Sequence, residues 1–450
     1  MQAATLAAHR FGYSETSLRG PGADPRAWVL AQFLPGAQTP FDASDLMDGA
    51  AALRLTGELL RSAAAPASTA SASAPELRPS AQALTLRRAN RAALQRRWQH
   101  IITTDTPVAE RWVQFWANHC CVAATKGATR ALVWPHENEA IRPHAFGRFS
   151  ALLRASTLHP AMLLYLDNAQ SMGPQSRAGL RRERGLNENL ARELLELHTL
   201  GVNGGYSQAD VTETARLLTG WTVRLQGGDG RASFQPALHQ PGPKTVLGRR
   251  YPEGPEALDQ LLQDLALHPA TARHLAGKLA LHFVSDTPPP ALVDALARRW
   301  RESGGDLRQV AQALFEHPAT WSPQNPPKLK RPEELLLSAH RQLKLPLGDR
   351  ELDAGMQTLT ALGQAPGRAP SPQGWPDRSE DWLSPDALLK RVQWAERFAQ
   401  RHAQAADARA LARLALGEDL GESTRLQIER AADGAQALAL WLASPEFQRR

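Results

Sequence analysis

Cysteine is scarce in this chain. There are two among 450 residues, Cys120 and Cys121, and they are adjacent. Neighbouring cysteines cannot cross-link distant segments, so a disulfide framework and a cysteine zinc site are both excluded. Long hydrophobic runs are also missing. The stretch Ala161-Met162-Leu163-Leu164-Tyr165-Leu166 is among the longest, far short of the ~20 residues that cross a bilayer as a helix, so no transmembrane segment is expected. The N-terminus, Met1-Gln2-Ala3-Ala4-Thr5, has no charged stretch followed by an apolar one. No secretory signal is read there; the sequence by itself predicts a cytoplasmic protein or a misplaced start. Several catalytic signatures are lacking too: no Gly-x-Ser-x-Gly nucleophile elbow, no phosphate-cradling Gly-x-x-x-x-Gly-Lys-Ser/Thr loop and no His-Glu-x-x-His. Gly201 to Gly205 follows a helical pattern and not a strand, so it is not a dinucleotide fingerprint.

What is present is enough for a sizeable core. Hydrophobic residues make up 42% and charged residues 22%, which excludes wholesale disorder. Lys and Arg number 52 against 45 Asp and Glu, for a net charge of +7. The excess is mostly arginine in short stretches: Arg87, Arg88, Arg91, Arg96 and Arg97, then Arg177, Arg181, Arg182 and Arg184. No helix-turn-helix, zinc-finger or base-stacking signature accompanies them, so nucleic acid is not the expected partner.

Residues 62–80 are Ala/Ser/Pro-rich without apolar periodicity, the composition of a linker. The expected organisation is an N-terminal helical region (1–60), a flexible linker (61–82) and a main helical body (83–450). In the body Val108, Trp112, Phe115, Trp116 and His119 fall on one helix face. Pro143 and Pro160 read as first-turn prolines, Asn187 as an N-cap, Gly201 as the glycine past a helix end, and Ser207 with Asp210 as a capping box. His-Pro-Ala occurs at His159, His268 and His317, each time between two helical patterns, and marks helix junctions. The period changes only over 221–251, where Trp221 to Leu225, a glycine-rich turn and Ala232 to Phe234 read as a hairpin, with a third short strand from Lys244 to Leu247. The fold class is therefore mainly α, a multi-helix body with a small β-hairpin insertion.

The densest polar cluster runs from Asn187 to His198. On a helix, Glu188, Asn189, Arg192, Glu193 and Glu196 share one arc, and leucines with Ala191 fill the other. Two readings stand. The arc is a solvated charge ladder worth tenths of a kcal/mol per pair, or it faces a cleft where its carboxylates hold a divalent cation or act as acid and base. Glu193-x-x-Glu196 lacks the histidine of a ferritin-type pair. His119, on an aromatic face, is either a core residue or a site residue, and His198 falls in the leucine arc. Asp167 closes a short apolar helix. His239 and Lys244 lie in the loop-rich β region, where side chains that contact ligands are often presented.

At these residues the chain resembles the DUF1800 family of bacterial proteins. The likeness is carried by the segment from Asn187 to Gly201, by Gly204 to Val211 and by Leu218-Thr219-Gly220-Trp221. Further matches are Phe115-Trp116-Ala117-Asn118-His119, Ala124-Thr125-Lys126-Gly127, Tyr165-Leu166-Asp167-Asn168, Lys330-Arg331-Pro332-Glu333-Glu334 and Gly374-Trp375-Pro376. The resemblance implies no established activity. It implies a periplasmic or secreted location and a sulfatase-like companion of the DUF1501 family. This chain departs from it in showing no export signal, and in having Gln240 after His239, where relatives tend to carry an acidic residue; a metal role for that loop loses support. The position of His198 is aromatic in relatives, which favours packing there. The resemblance favours the cleft reading. Glu188, Arg192, Glu193, Glu196, His119 and Asp167 are then candidate catalytic residues, with Asn187, Asn189, Lys126, His239 and Lys244 contacting substrate. The alternative is a non-catalytic binding or assembly protein in which the same residues form a buried polar network.

Overall fold

The computed structural model describes residues 2–16, 20–64, 80–182, 185–225 and 229–450. Most of the Ala/Ser/Pro-rich tract (65–79), Arg184 and the hairpin glycines Gly227 and Gly228 lie outside the described residues. Helices dominate, joined by two small antiparallel sheets. β1 (Trp221–Val223) pairs with β2 (Ala232–Phe234), placing Trp221 opposite Phe234. β3 (Lys244–Val246) does not extend that hairpin. It pairs with β4 (Arg249–Tyr251), Lys244 opposite Tyr251, through a turn in which Leu247 and Gly248 both have positive φ.

Two apolar clusters form the core. The first runs from Leu6 and Phe11 through Trp112, Trp116, Phe149, Leu194, Leu279 and Trp300 to Trp321. Apolar residues of the N-terminal region belong to it: Phe11 meets Phe315 and Trp321 edge-on at 5.2 and 5.1 Å, and Phe33 meets Trp112 at 5.8 Å. The second gathers Trp98, Leu335, Trp394, Phe398, Trp441 and Phe447. The long helix Ala81–Thr103 serves both, giving Leu86 to the first and Leu94, Trp98 and Ile101 to the second. No helix among the described residues is long and apolar enough to cross a membrane.

The punctuation of the sequence sets where helices begin. Proline opens Pro107–His119, Pro160–Tyr165, Pro269–Phe283, Pro332–Gln342 and Pro385–His402, where its missing N–H is not needed. In each His-Pro-Ala junction the histidine is the N-cap. Its Nδ1 accepts the backbone N–H of Ala161, Ala270 or Ala319 at 3.1–3.2 Å. Pro143 does not open a helix. It follows the π-helical turn Glu137–Ile141, and the chain then closes turns until Phe149–Thr157 begins; a residue without an N–H ends that ladder. The capping box of Ser207 and Asp210 is present, and Gly201 ends its helix at φ +82°.

Candidate functional site

The helix carrying the polar arc starts at Asn189, with the Asn187 side chain accepting the Asn189 N–H at 2.9 Å. After Asn189–Glu193 the backbone widens into a π-helical stretch, Leu194–Thr199. A wider turn rotates the facing of its residues: Leu197 is only half-buried and His198 is fully buried. The arc packs along the helix Gln208–Leu218. Glu188 accepts from Thr212 Oγ1 and Gln208 Nε2, both at 2.7 Å, and from Arg192 at 3.4 Å; these bonds, Thr212 foremost, hold its carboxyl below the usual range. Arg192 donates to Gln208 Oε1 at 2.9 Å. Glu196 accepts from Tyr206 Oη at 3.2 Å, and Asn189 is exposed.

Glu193 differs from the other arc carboxylates. Among the described residues it has no hydrogen-bond or ion-pair partner, and burial together with Glu196 raises its pKa, against a smaller opposing pull from Arg192. It lies near Tyr165, whose phenol is pushed up by burial, by Cys121 and by Glu193. Lys126 holds the backbone end of the same residue: Nζ donates to the Tyr165 carbonyl at 2.7 Å and lies 2.6 Å from Asp167 Oδ2. Asp167 occupies the left-handed region, φ +59°, which Asp tolerates better than most residues. Glu193 thus lies toward the phenol end of the buried Tyr165, and the Lys126–Asp167 pair at its backbone end. Among the described residues no three His, Cys, Asp or Glu side chains are grouped to hold a metal. The arc's carboxylates do not fit a cation, since Glu188 and Glu196 are turned to Thr212, Gln208 and Tyr206.

His119 lies in the core, stacked on Phe115. Its Nε2–H donates to the His198 carbonyl at 3.1 Å and its Nδ1 accepts from Lys278 Nζ at 3.0 Å. Burial, with Lys278 next, keeps the ring neutral. His239 and Lys244 form a separate buried pair. Nδ1–H of His239 donates to the Thr219 carbonyl at 2.7 Å, and Nε2 accepts from Lys244 at 2.9 Å. Burial pushes Lys244 down to about 8.

A polar cavity of about 80 Å³, room for a few waters, opens where three segments that carry the family resemblance meet. Ala117, Asn118 and Cys121 come from the end of Pro107–His119 and just beyond; Arg331 and Glu333 from the start of Pro332–Gln342; Trp375 from the 364–375 loop. Asn118 ties that loop down, donating to the Trp375 carbonyl at 2.9 Å and accepting its N–H at 2.8 Å. Gly374 makes the approach possible, since a Cβ there would stand 2.4 Å from the Asn118 carbonyl oxygen. Arg97 spans the cavity wall, bonded to Glu137 at 3.0 Å, to Glu333 at 2.7 Å and to Gln114. Arg142 clamps Glu110 through two N–H groups at 2.8 Å and Glu137 at 2.7 Å. Burial alone would raise the Glu137 carboxyl, but Arg97 and Arg142 hold it below its ordinary value. Among the described residues Arg331 Nε has no hydrogen-bond partner.

Beside the cavity runs an apolar groove of about 600 Å³ lined by Leu59, Leu60, Ala83, Leu86 and Met356, with arginines on its rim. Val133, Trp134, Pro366 and Gly367 line both spaces, so the groove and the polar cavity are neighbours.

Periodicity and spacing in the sequence single out none of Arg97, Gln114, Glu137, Arg331 or Glu333 as site residues. Their only signals are indirect: Arg97 stands in a basic stretch, and Arg331 and Glu333 in a segment of the resemblance. No curated protein and no solved structure matches the chain. A profile of the family described as "Protein of unknown function (DUF1800)" matches residues 6–449. With nearly its whole length matched, the chain belongs to the DUF1800 family.

Proposed function

We propose that the groove and the cavity together bind one small amphipathic molecule, its apolar body along Leu59, Leu86 and Met356 and its polar head against Arg331, Asn118 and the Arg97–Glu137–Glu333 network. The observation that carries this reading is the shared wall, which sets an apolar trough of ligand size beside a cavity ringed with fixed hydrogen-bonding groups. The setting is the one the family resemblance implies, a bacterial envelope with a sulfatase-like companion protein. The test is calorimetric titration with decyl chains bearing a carboxylate, an amide or a trimethylammonium head. One head should be preferred at least tenfold, and Ala83→Trp, which fills the groove, should weaken binding at least tenfold without lowering the melting temperature. No binding of any of the three, or equal affinity in Ala83→Trp, would remove the proposal.

A second reading rests on a different observation, the Glu193 carboxylate, without a hydrogen-bond or ion-pair partner among the described residues and with its pKa raised by burial and Glu196. A carboxylic acid poised above its usual range suits general acid–base work, including hydrolysis. In this reading Glu193 is the proton carrier, Lys126, Asp167 and Tyr165 flank the substrate, and Glu188, Arg192, Glu196, Asn187 and Asn189 fix the helix that presents it. His119, bonded to the His198 carbonyl, steadies the far end of the same helix, while His239 and Lys244 stay a separate pair. Glu193→Gln should abolish turnover of hydrolysable envelope-type esters while leaving the fold intact; retained turnover would end this reading.

A further inference from the structure

A second pocket, of about 690 Å³, lies among the helices Pro332–Gln342, Asp349–Ala361 and Pro385–His402, lined by other residues than the groove. We propose that it binds a small anion with a flat aromatic body. The floor is apolar: Leu336, Gly355, Trp394 and Phe398. Arg350, Arg397 and Arg401 stand over it, and among the described residues none of the three is ion-paired, with Glu351 the one carboxylate in the lining. Arg397 and Arg401 are one helical turn apart, a spacing at which like charges repel; an anion seated between them turns that repulsion into attraction, and guanidinium forks suit carboxylate or phosphate oxygens.

The second observation is His340. Its ring is 3% exposed, lines the pocket and makes no hydrogen bond among the described residues, with Nδ1 buried and orphaned. Nε2 is likewise unbonded among the described residues and, unlike Nδ1, is not shut off from solvent, so it is the ring atom that a ligand oxygen or N–H in the pocket reaches. The ring is held edge-on to Phe398 at 5.3 Å, and Phe398 lies 4.5 Å from His402. The aromatic wall continues beyond the imidazole, which fits a ring-bearing ligand better than bare phosphate. Burial, with His402 beside it, pushes the His340 imidazole down to about 4, so it is neutral near pH 7 and free to donate or accept.

The experiment titrates the full chain with 1-naphthyl phosphate, inorganic phosphate and 1-naphthol. The aryl phosphate should bind at least tenfold more tightly than either fragment. The double variant Arg397→Gln/Arg401→Gln, altering two exposed side chains, should reduce that affinity at least tenfold with an unchanged melting temperature. His340→Phe, which keeps the ring and removes the nitrogens, should weaken it severalfold. Ala83→Trp, in the separate groove, should leave it unchanged, so failure here is distinguishable from failure of the groove reading. Binding of 1-naphthol as tight as the aryl phosphate, or affinity unaltered by loss of the two arginines, overturns the proposal.

Discussion

Glu193 and Glu137 are both carboxylates near arginine, and their surroundings push them in opposite directions. Glu137 is buried between Arg97 and Arg142, so its folded pKa lies below the unfolded value near 4.5. The stabilisation it gives is complete above that value and is lost as pH falls through the folded pKa. Glu137→Gln therefore leaves two buried guanidiniums short of a counter-charge and should cost about 3 kcal/mol or more at pH 7, read from urea unfolding; the gap from wild type should narrow only below about pH 4.5. For Glu193 the folded pKa is raised by burial and Glu196. Its contribution is intact below the unfolded value and is lost as pH rises, so the ionised carboxylate is a mild burden at neutral pH. Glu193→Gln should raise stability at pH 7 by up to about 0.5 kcal/mol and make no difference at pH 4; a loss at pH 7 would place Glu193 in a structural network instead. Of these two, the sequence displayed only Glu193. The Asn187–Glu196 arc is a local pattern, three and four residues apart, and periodicity shows it. Glu333 comes to Arg97 from 236 residues away and Glu137 from 40, so their convergence exists only once the helices have packed.

At the scale of the element, the three His-Pro-Ala junctions make one prediction. The Nδ1 acceptors of His268 and His317 satisfy first-turn N–H groups of the helices they open, as Ser, Asp or Asn does at an ordinary N-cap. His268→Ala and His317→Ala should each lower stability by about 1 kcal/mol, while His317→Asn should restore most of the loss. Equal midpoints for His317→Ala and wild type in urea would show that solvent replaces the ring. These junctions were legible because proline fixes φ and forbids a donor, local facts that need no tertiary context. So were the capping box of Ser207 and Asp210, Gly201 and the first hairpin. The π-helical stretches Glu137–Ile141 and Leu194–Thr199 were not. A wider turn is favoured by what packs on it, and it is the Leu194–Thr199 stretch that buries His198 while leaving Leu197 half-exposed. The pairing of β3 with β4 was hidden for a similar reason: its backbone is held to the Gln208–Leu218 helix by Glu213 and Asp210, which accept from Thr245 N and Leu247 N.

Across the whole molecule, the unusual feature is how many histidines are buried without charge. His9 and His198 are pushed down to about 3, and His282 and His340 to about 4, burial being the largest cause for each; His119 and His136 lie well below their ordinary value for the same reason. Even His282, which donates to Asp377 Oδ1 at 2.7 Å, is lowered. These side chains are distributed over both apolar clusters and their borders, so no local opening protonates them all. The unfolded chain takes up a proton at each near pH 6.5 and the folded chain does not. Their contribution to stability is thus complete above pH 6.5 and is lost as pH falls towards the folded values. Below pH 6.5 each histidine removes about 1.4 kcal/mol per pH unit, and four together reach roughly 5 kcal/mol per unit, comparable with the ~5–15 kcal/mol net stability of a typical domain. The buried carboxylates act with the same sign at lower pH, since Glu137, Glu334 and Asp377 are all depressed in the folded chain. Urea midpoints should therefore hold steady from pH 8 to 7 and then fall steeply to pH 5.5, with more than one proton taken up per molecule on unfolding. A midpoint unchanged between pH 7.5 and 5.5 would mean that water reaches these rings in the folded protein, and that the two cores are looser than their packing indicates.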